Sequence, residues 1–374
     1  IFATLTKEAK KNRALNLSQG FPDFDGPEWI VELAKKELEE TKEGCNQYAP
    51  LEGIPSLRAQ VQEMTHKQYD LHYDRDSEIT ITHGATEGIF CSILSLVNPG
   101  DEVIVFEPFY DSYYASIKLA GGIPVPVTLY APHFQFNQKE LEKAFSEKTK
   151  LVVMNNPHNP TGRVFTRQEL EAIAKLVLKY DTYLASDEVY EFLTYDNNQH
   201  IPMASLEGMK ERTFTLSSIG KTFGLTGWKT GWALASEKLT KALRNVHQYT
   251  TFCANHPTQR AVAQALAHLD SYLPEFRSLY QKKRDYFVAG LQELGFAPFC
   301  SEGTYFVMCP IRNKTDLKDV DYCLKLMKDN RVASIPPSAF YAKSNEGENN
   351  LRFCFAKKES TLKAALQQLQ SLKS

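Results

Sequence analysis

Short runs of β-branched and other apolar residues recur along the first two-thirds of the chain, each fenced by turn residues. They are Glu78–Thr82, Asp101–Phe106, Ile123–Leu129, Lys150–Asn155, Thr182–Asp187 and Arg212–Ser218. Between most of them, apolar positions recur at helical spacing. The stretch Thr166–Tyr180 (TRQELEAIAKLVLKY) predicts an amphipathic helix, with Thr166 and Glu169 spaced as a capping box. Apolar strands alternating with helices predict an α/β unit whose parallel or mostly parallel sheet is covered on both faces. After about residue 270 the texture changes. A long polar helical stretch (LPEFRSLYQKKRDYFVAGLQEL) precedes two short strands, GTYFVMC and LRFCFA, and the amphipathic tail ESTLKAALQQLQSL. A smaller α+β domain is expected there. With no repeat period and no Ser/Gly linker, the domains should share surface.

Composition narrows the function classes. At 374 residues the chain should form two or three domains. A content of 43% hydrophobic and 24% charged residues is that of an ordinary soluble globular protein. Lys and Arg number 43 against 45 Asp and Glu, a formal charge of -2, so no basic field is present to hold nucleic acid or an anionic membrane. The longest apolar run, Gly88–Val97, is about half of the ~20 residues that span a bilayer. The first residues lack the charged-then-apolar order of a secretory signal. Seven scattered cysteines without a CxxC pair suit reduced thiols rather than disulfides or a zinc site. A cytoplasmic protein without a structural metal is the expectation.

In open α/β sheets, ligands bind beyond the carboxyl ends of the strands. The strand ending at Asn155 runs into NPHNPTG (Asn156–Gly162), which presents Asn159 on a turn; an Asx-turn loop is the plainer alternative. The next strand ends at Asp187, with Tyr190 three residues on. Asp187 either caps the following helix or holds a heterocyclic nitrogen protonated. The third strand opens into SSIGKTFGLTGWKTGW (Ser217–Trp232), where Lys221 stands among glycines, hydroxyls and Lys229. Lysines are usually surface residues, yet this composition also suits an anion cradle.

In this order, NPHNPTG, SDEVY and SSIGKTFGLTGWKTGW resemble the class I/II aminotransferases of fold type I, the aspartate aminotransferase superfamily. The resemblance extends to NLSQGFPDFDGP (Asn16–Pro27), NQYAPLEGIPSLR (Asn46–Arg58), THGATEGIF (Thr82–Phe90), EPFYDSY (Glu107–Tyr113) and LRFCFAKKE (Leu351–Glu359), essentially the whole chain. Within the superfamily the chain is most similar to the kynurenine/glutamine transaminase group, and there to bacterial methionine aminotransferases.

The resemblance implies an α/β, aspartate-aminotransferase-like fold. Its mostly parallel seven-stranded sheet would belong to a large domain at residues 28–272. A smaller α+β domain would combine residues 1–27 and 273–374. It implies pyridoxal 5'-phosphate as cofactor, with Lys221 as Schiff-base lysine and proton-transfer base. Asp187 would pair with the ring nitrogen, and Asn159 and Tyr190 would bond the 3'-oxygen. Ser218, Lys229 and the Ala85–Thr86 turn would bind the phosphate. Tyr110 would stack on the ring, and Tyr48 would cross from the neighbouring subunit of a homodimer with shared sites. Arg352, with Gly20 and Asn159, would hold the substrate carboxylate; for Arg352 alone, a structural ion pair is the alternative.

Two departures bear on substrate. Lys229 stands where many aminotransferases have arginine, and Thr86 where several relatives have tyrosine. Phe21, Tyr110, Phe252 and Phe340 suggest a pocket for large apolar side chains, and no second arginine is evident for a dicarboxylate. The expected reaction moves the amino group of methionine, glutamine or aromatic amino acids, kynurenine among them, to a 2-oxo acid by a ping-pong mechanism. β-Elimination from cysteine S-conjugates at the same site is the alternative. A pyridoxal-phosphate-sensing DNA-binding regulator is not expected, because the motifs begin by Asn16 and the charge is balanced.

Overall fold

A computed structural model describes residues 2–39 and 45–372. Its main sheet has eight strands: β2 (Ile79–Thr82), β3 (Glu102–Glu107), β4 (Ile123–Tyr130), β5 (Gln135–Phe136), β6 (Thr149–Asn155), β7 (Tyr183–Asp187), β8 (Thr213–Ser218) and β9 (Gly231–Leu234). Their order is β2-β9-β8-β7-β6-β3-β4-β5. The inner pairs from β8 to β4 are parallel; β9 runs antiparallel to both neighbours. The expected count of seven is therefore short by β5, a two-residue edge strand that folds back on β4. So short a strand leaves no alternating pattern to read.

The fully buried strands explain why the sequence shows continuous apolar runs there. Side chains on β3 alternate between two clusters. Ile104 and Phe106 pack with Val152, Leu184 and the helix Arg167–Lys179, while Val103 and Val105 pack with Leu151, Phe214 and the helix Gly84–Leu96. Helices thus cover both faces. Thr166 caps the helix Arg167–Lys179 in the expected capping box with Glu169.

Four further strands lie outside the main sheet. β1 (Leu15–Asn16) pairs in parallel with β11 (Val332–Ala333), and β10 (Phe306–Pro310) pairs antiparallel with β12 (Asn350–Cys354). The amide of Cys354 also donates to the carbonyl of Leu17 at 2.8 Å. These bonds stitch the N-terminal segment to the C-terminal region, and the 25-residue helix Leu269–Glu293 leads into that region. Among the described residues, no helix is long and apolar enough to cross a membrane.

Candidate active site

One cavity of about 300 Å³ lies beyond the carboxyl ends of β6, β7 and β8. Its lining includes Gly20, Ala85, Thr86, Tyr110, Asn159, Asp187, Tyr190, Ser218, Lys221, Lys229 and Arg352. All the sequence-predicted site residues except Tyr48 therefore meet in it. Tyr48 is 83% exposed and packs edge-on against Phe252, away from this cavity. Phe252 and Phe340 also correct the expected pocket wall: neither lines the cavity, and Phe340 is buried behind Arg352. Phe21 and Tyr110 do line it.

Asp187 ends β7 and does not cap a helix in the way the plainer alternative supposed. Its Oδ2 accepts Tyr113 Oη at 2.5 Å and its Oδ1 accepts the amide of Val189 at 3.3 Å. Burial raises its pKa to about 6, against the pull of these donors and of Lys221. Asn155 holds the two strand ends together. Its Nδ2 donates to the Asp187 carbonyl at 2.7 Å, while its Oδ1 accepts the amide of Asn159 at 2.6 Å. Asn159 is thereby aimed at Arg352, whose Nη1 donates to Asn159 Oδ1 at 2.9 Å.

Lys221 sits on the four-residue helix Ile219–Thr222 that follows Ser218 at the end of β8. Its Nζ lies 5.7 Å from the Tyr190 ring centroid and 5.6 Å from that of Tyr305, and donates to the Gly20 carbonyl at 3.3 Å. Burial lowers its pKa to about 8; Asp187 opposes the shift, and Lys229 and Arg352 add to it. Arg352 is 1% exposed in β12. Its guanidinium lies 4.1 Å from the Phe306 ring centroid, and Nη2 donates to the Ser18 carbonyl at 2.7 Å. Burial lowers its pKa to about 10, which leaves it cationic at neutral pH.

A cationic, donor-rich corner forms where β2 turns into the helix Gly84–Leu96. The start of that helix presents Ala85 and Thr86 to the cavity beside Ser218 and Lys229. Gly84 has φ +73°, a left-handed conformation that favours glycine, and a Cβ there would crowd Lys229 Nζ at 3.1 Å. Glu87 secures the same turn, accepting the amide of His83 at 3.1 Å and His247 Nδ1 at 2.7 Å. Chemically, the cavity can bind a phosphate at one end and a carboxylate at the other, with an amine and a buried acid between them.

Sequence reasoning missed Tyr113, Asn155, Glu87 and Phe306. Tyr113 and Asn155 sit inside or beside the motifs, but their partners lie 74 and 32 residues away. Asn155 ends β6, which hinted at a role; Tyr113 lies in the helix Asp111–Leu119 and carried no such hint.

Comparisons with known proteins agree with this geometry. The family model Aminotransferase class I and II matches residues 12–369. The methionine aminotransferase of Escherichia coli is 40% identical over 375 residues, covering 100% of this chain and 95% of that one. The kynurenine–oxoglutarate transaminase of Dictyostelium discoideum is 39% identical, covering 98% and 92%. The solved structure of N-succinyldiaminopimelate aminotransferase from Mycobacterium tuberculosis superposes with a TM-score of 0.96 at 38% identity, covering 99% of this chain and 96% of that one. The fold is aspartate-aminotransferase-like, as expected. The chain belongs to the class I and II aminotransferases and is a transaminase that depends on pyridoxal 5'-phosphate.

Proposed function

We propose that the enzyme transfers the amino group of methionine, glutamine or an aromatic amino acid to a 2-oxo acid by ping-pong half-reactions, with Lys221 as the reacting lysine. The observation that carries this reading is the half-buried Lys221, its amine placed in one cavity with Asp187 and Arg352. The residues fit the cofactor. Ser218, Lys229 and the Ala85–Thr86 turn would hold its phosphate, Asp187 its ring nitrogen, Asn159 and Tyr190 its 3'-oxygen, and Lys221 its aldehyde. Tyr110 would lie against its ring. When bound, the cofactor supplies an electron sink that makes the substrate Cα–H acidic.

The chain's own groups do the rest. Lys221, with a pKa near 8, is a base poised close to neutral pH, and its Nζ would take the proton from Cα. Asp187 remains mostly ionised at pH 7 despite its burial, because about 6 is still below that pH. Tyr113 and Val189 fix its orientation. Arg352, held by Asn159 and Ser18, would pair with the substrate carboxylate. Phe21, Ile89, Val189 and Phe306 line the cavity as apolar wall, and Arg352 is the one arginine lining it among the described residues. Those two features favour an apolar side chain over a second carboxylate.

The proposed assembly is a cytoplasmic homodimer. Tyr48, Tyr249 and Phe252 are exposed aromatics, and a dimer that covered them would let Tyr48 reach the partner's phosphate corner. The proposed division, a large domain at 28–272 and a small domain from 1–27 and 273–374, agrees with the bonds that join the N-terminal segment to the C-terminal region.

Three outcomes are expected. Steady-state assays with a common 2-oxo acid should give methionine a kcat/KM at least about tenfold above aspartate, the discrimination expected when a buried charge goes unpaired; the reverse order contradicts the substrate assignment. Pyruvate and ammonia released from a cysteine S-conjugate without any 2-oxo acid would instead support elimination. Secondly, only the neutral amine attacks an aldehyde, so the rate at which cofactor-free enzyme takes up pyridoxal phosphate should rise with pH, with its midpoint near pH 8. A flat profile contradicts the environment assigned to Lys221. Thirdly, an equal mixture of Lys221→Ala and Tyr48→Ala chains should regain up to about a quarter of wild-type activity, since half the dimers would be mixed and each would hold one intact site. Activity no greater than that of the two variants alone argues against shared sites.

A further inference from the structure

Glu107 ends β3 and is fully buried. It is the first residue of the EPFYDSY motif, in which only Tyr110 lines the cavity. Its carboxyl group accepts four hydrogen bonds. Oε1 takes Thr128 Oγ1 at 2.8 Å and the amide of Ser344 at 3.0 Å. Oε2 takes the amides of Ala342 and Lys343 at 2.8 and 2.9 Å. Four donors with no proton needed from the acid itself describe a carboxylate, since a protonated acid would use one oxygen as a donor. Three consecutive backbone N–H groups converging on an anion form the kind of concave nest that binds phosphate elsewhere. Here a side chain 235 to 237 residues away in sequence fills it.

The nest lies just beyond Phe340, and a second bond fixes the same junction. The amide of Phe109 donates to the Phe340 carbonyl at 2.9 Å. Phe340 is 1% exposed, and its ring centroid lies 5.2 Å from the Arg352 guanidinium. A chain of contacts thus runs from the end of β3 through residues 340–344 to the arginine in β12. Burying a carboxylate without a cation at its oxygens is costly unless every lone pair is used. Thr128 alone would use one; the nest uses the others.

We propose that Glu107 is a positioning residue for substrate binding: by filling the nest at Ala342–Ser344 it fixes Phe340 behind Arg352 and so sets the guanidinium for the substrate carboxylate. This rests on the assignment of Arg352 to that carboxylate. Glu107 itself does not line the cavity. The consequence is a separation of effects. Loosening the nest should weaken the carboxylate end of the cavity while the phosphate end, built on the Gly84–Leu96 helix and Lys229, is unaffected.

The test uses cofactor-loaded enzyme and 3-phenylpropionate, which offers a carboxylate but no amine to react. Glu107→Gln keeps the shape but turns an amide N–H₂ toward backbone donors. It should weaken 3-phenylpropionate, measured by isothermal titration, by about tenfold, or ~1.4 kcal/mol. KM for methionine should rise in parallel, with kcat changed less than about threefold and cofactor affinity unchanged. Probe affinity within about twofold of wild type, or equal losses of probe and cofactor affinity, would overturn the proposal. Should Glu107→Gln not fold, Phe340→Leu carries the test: it keeps the nest and removes the ring. It should weaken the probe about fivefold with cofactor affinity unchanged; undiminished probe affinity overturns the proposal. Arg352→Ala separates the two levels. If it binds the probe as wild type does, the assignment of Arg352 fails and this inference with it; if it loses the probe while Glu107→Gln and Phe340→Leu do not, only the role of Glu107 fails.

Discussion

A carboxylate, an amine and a guanidinium share one cavity, and the architecture is arranged so that each keeps its own task. Burial works against all three charges: it raises Asp187 to about 6 and lowers Lys221 to about 8 and Arg352 to about 10. If they collapsed onto one another, the charges would be satisfied but no ligand could use them. They are kept apart by being placed on different elements: the end of β7, the short helix after β8, and β12. Each is then held by neutral partners. Tyr113 and Val189 hold Asp187, the Gly20 carbonyl receives Lys221, and Asn159 and Ser18 receive Arg352. Neutral partners such as these orient a charge without cancelling it.

That requirement reaches far into the fold. Parallel strands bring Asn155 and Asp187 to the same level, in register with each other, so one amide can tie both ends. The antiparallel β9 starts beside the cavity, with Gly231 opposite Ser218; a Cβ on Gly231 would stand 2.8 Å from the Ala85 amide, so only glycine permits this approach. The N-terminal segment must lie beside β12 for Gly20 and Ser18 to face Lys221 and Arg352, and the pairing of β1 with β11 puts it there.

Much of this was legible in the sequence for a physical reason. Strands buried on both faces must be apolar throughout, so β3, β6, β7 and β8 stood out and their ends were placed within a residue. The chemistry of the cofactor demands particular residue types after those ends, so Asn159, Asp187, Ser218 and Lys221 were visible as motifs. The short strands β1, β5 and β11 were not, because two residues carry no period and their pairing is decided by distant partners. The same holds for side chains. Tyr113 and Glu107 stand in a motif that was noticed, yet nothing local says that one binds Asp187 and the other a loop near residue 343. Phe252 and Phe340 were placed in the pocket from their neighbourhood in sequence, and the fold turns them elsewhere. Substrate choice is the least legible property, since the wall is assembled from Phe21, Ile89, Val189 and Phe306 on separate elements.

The central claim is that this cavity exchanges an amino group between a substrate and a cofactor bonded to Lys221. It is tested most directly by the visible absorption of the cofactor-loaded enzyme mixed with methionine alone, without a 2-oxo acid. The account predicts that the yellow colour bleaches with release of about one equivalent of 2-oxo acid per site, and that a 2-oxo acid restores it. Colour that no amino acid bleaches, or a Lys221→Ala enzyme that behaves as the wild type does, would contradict it.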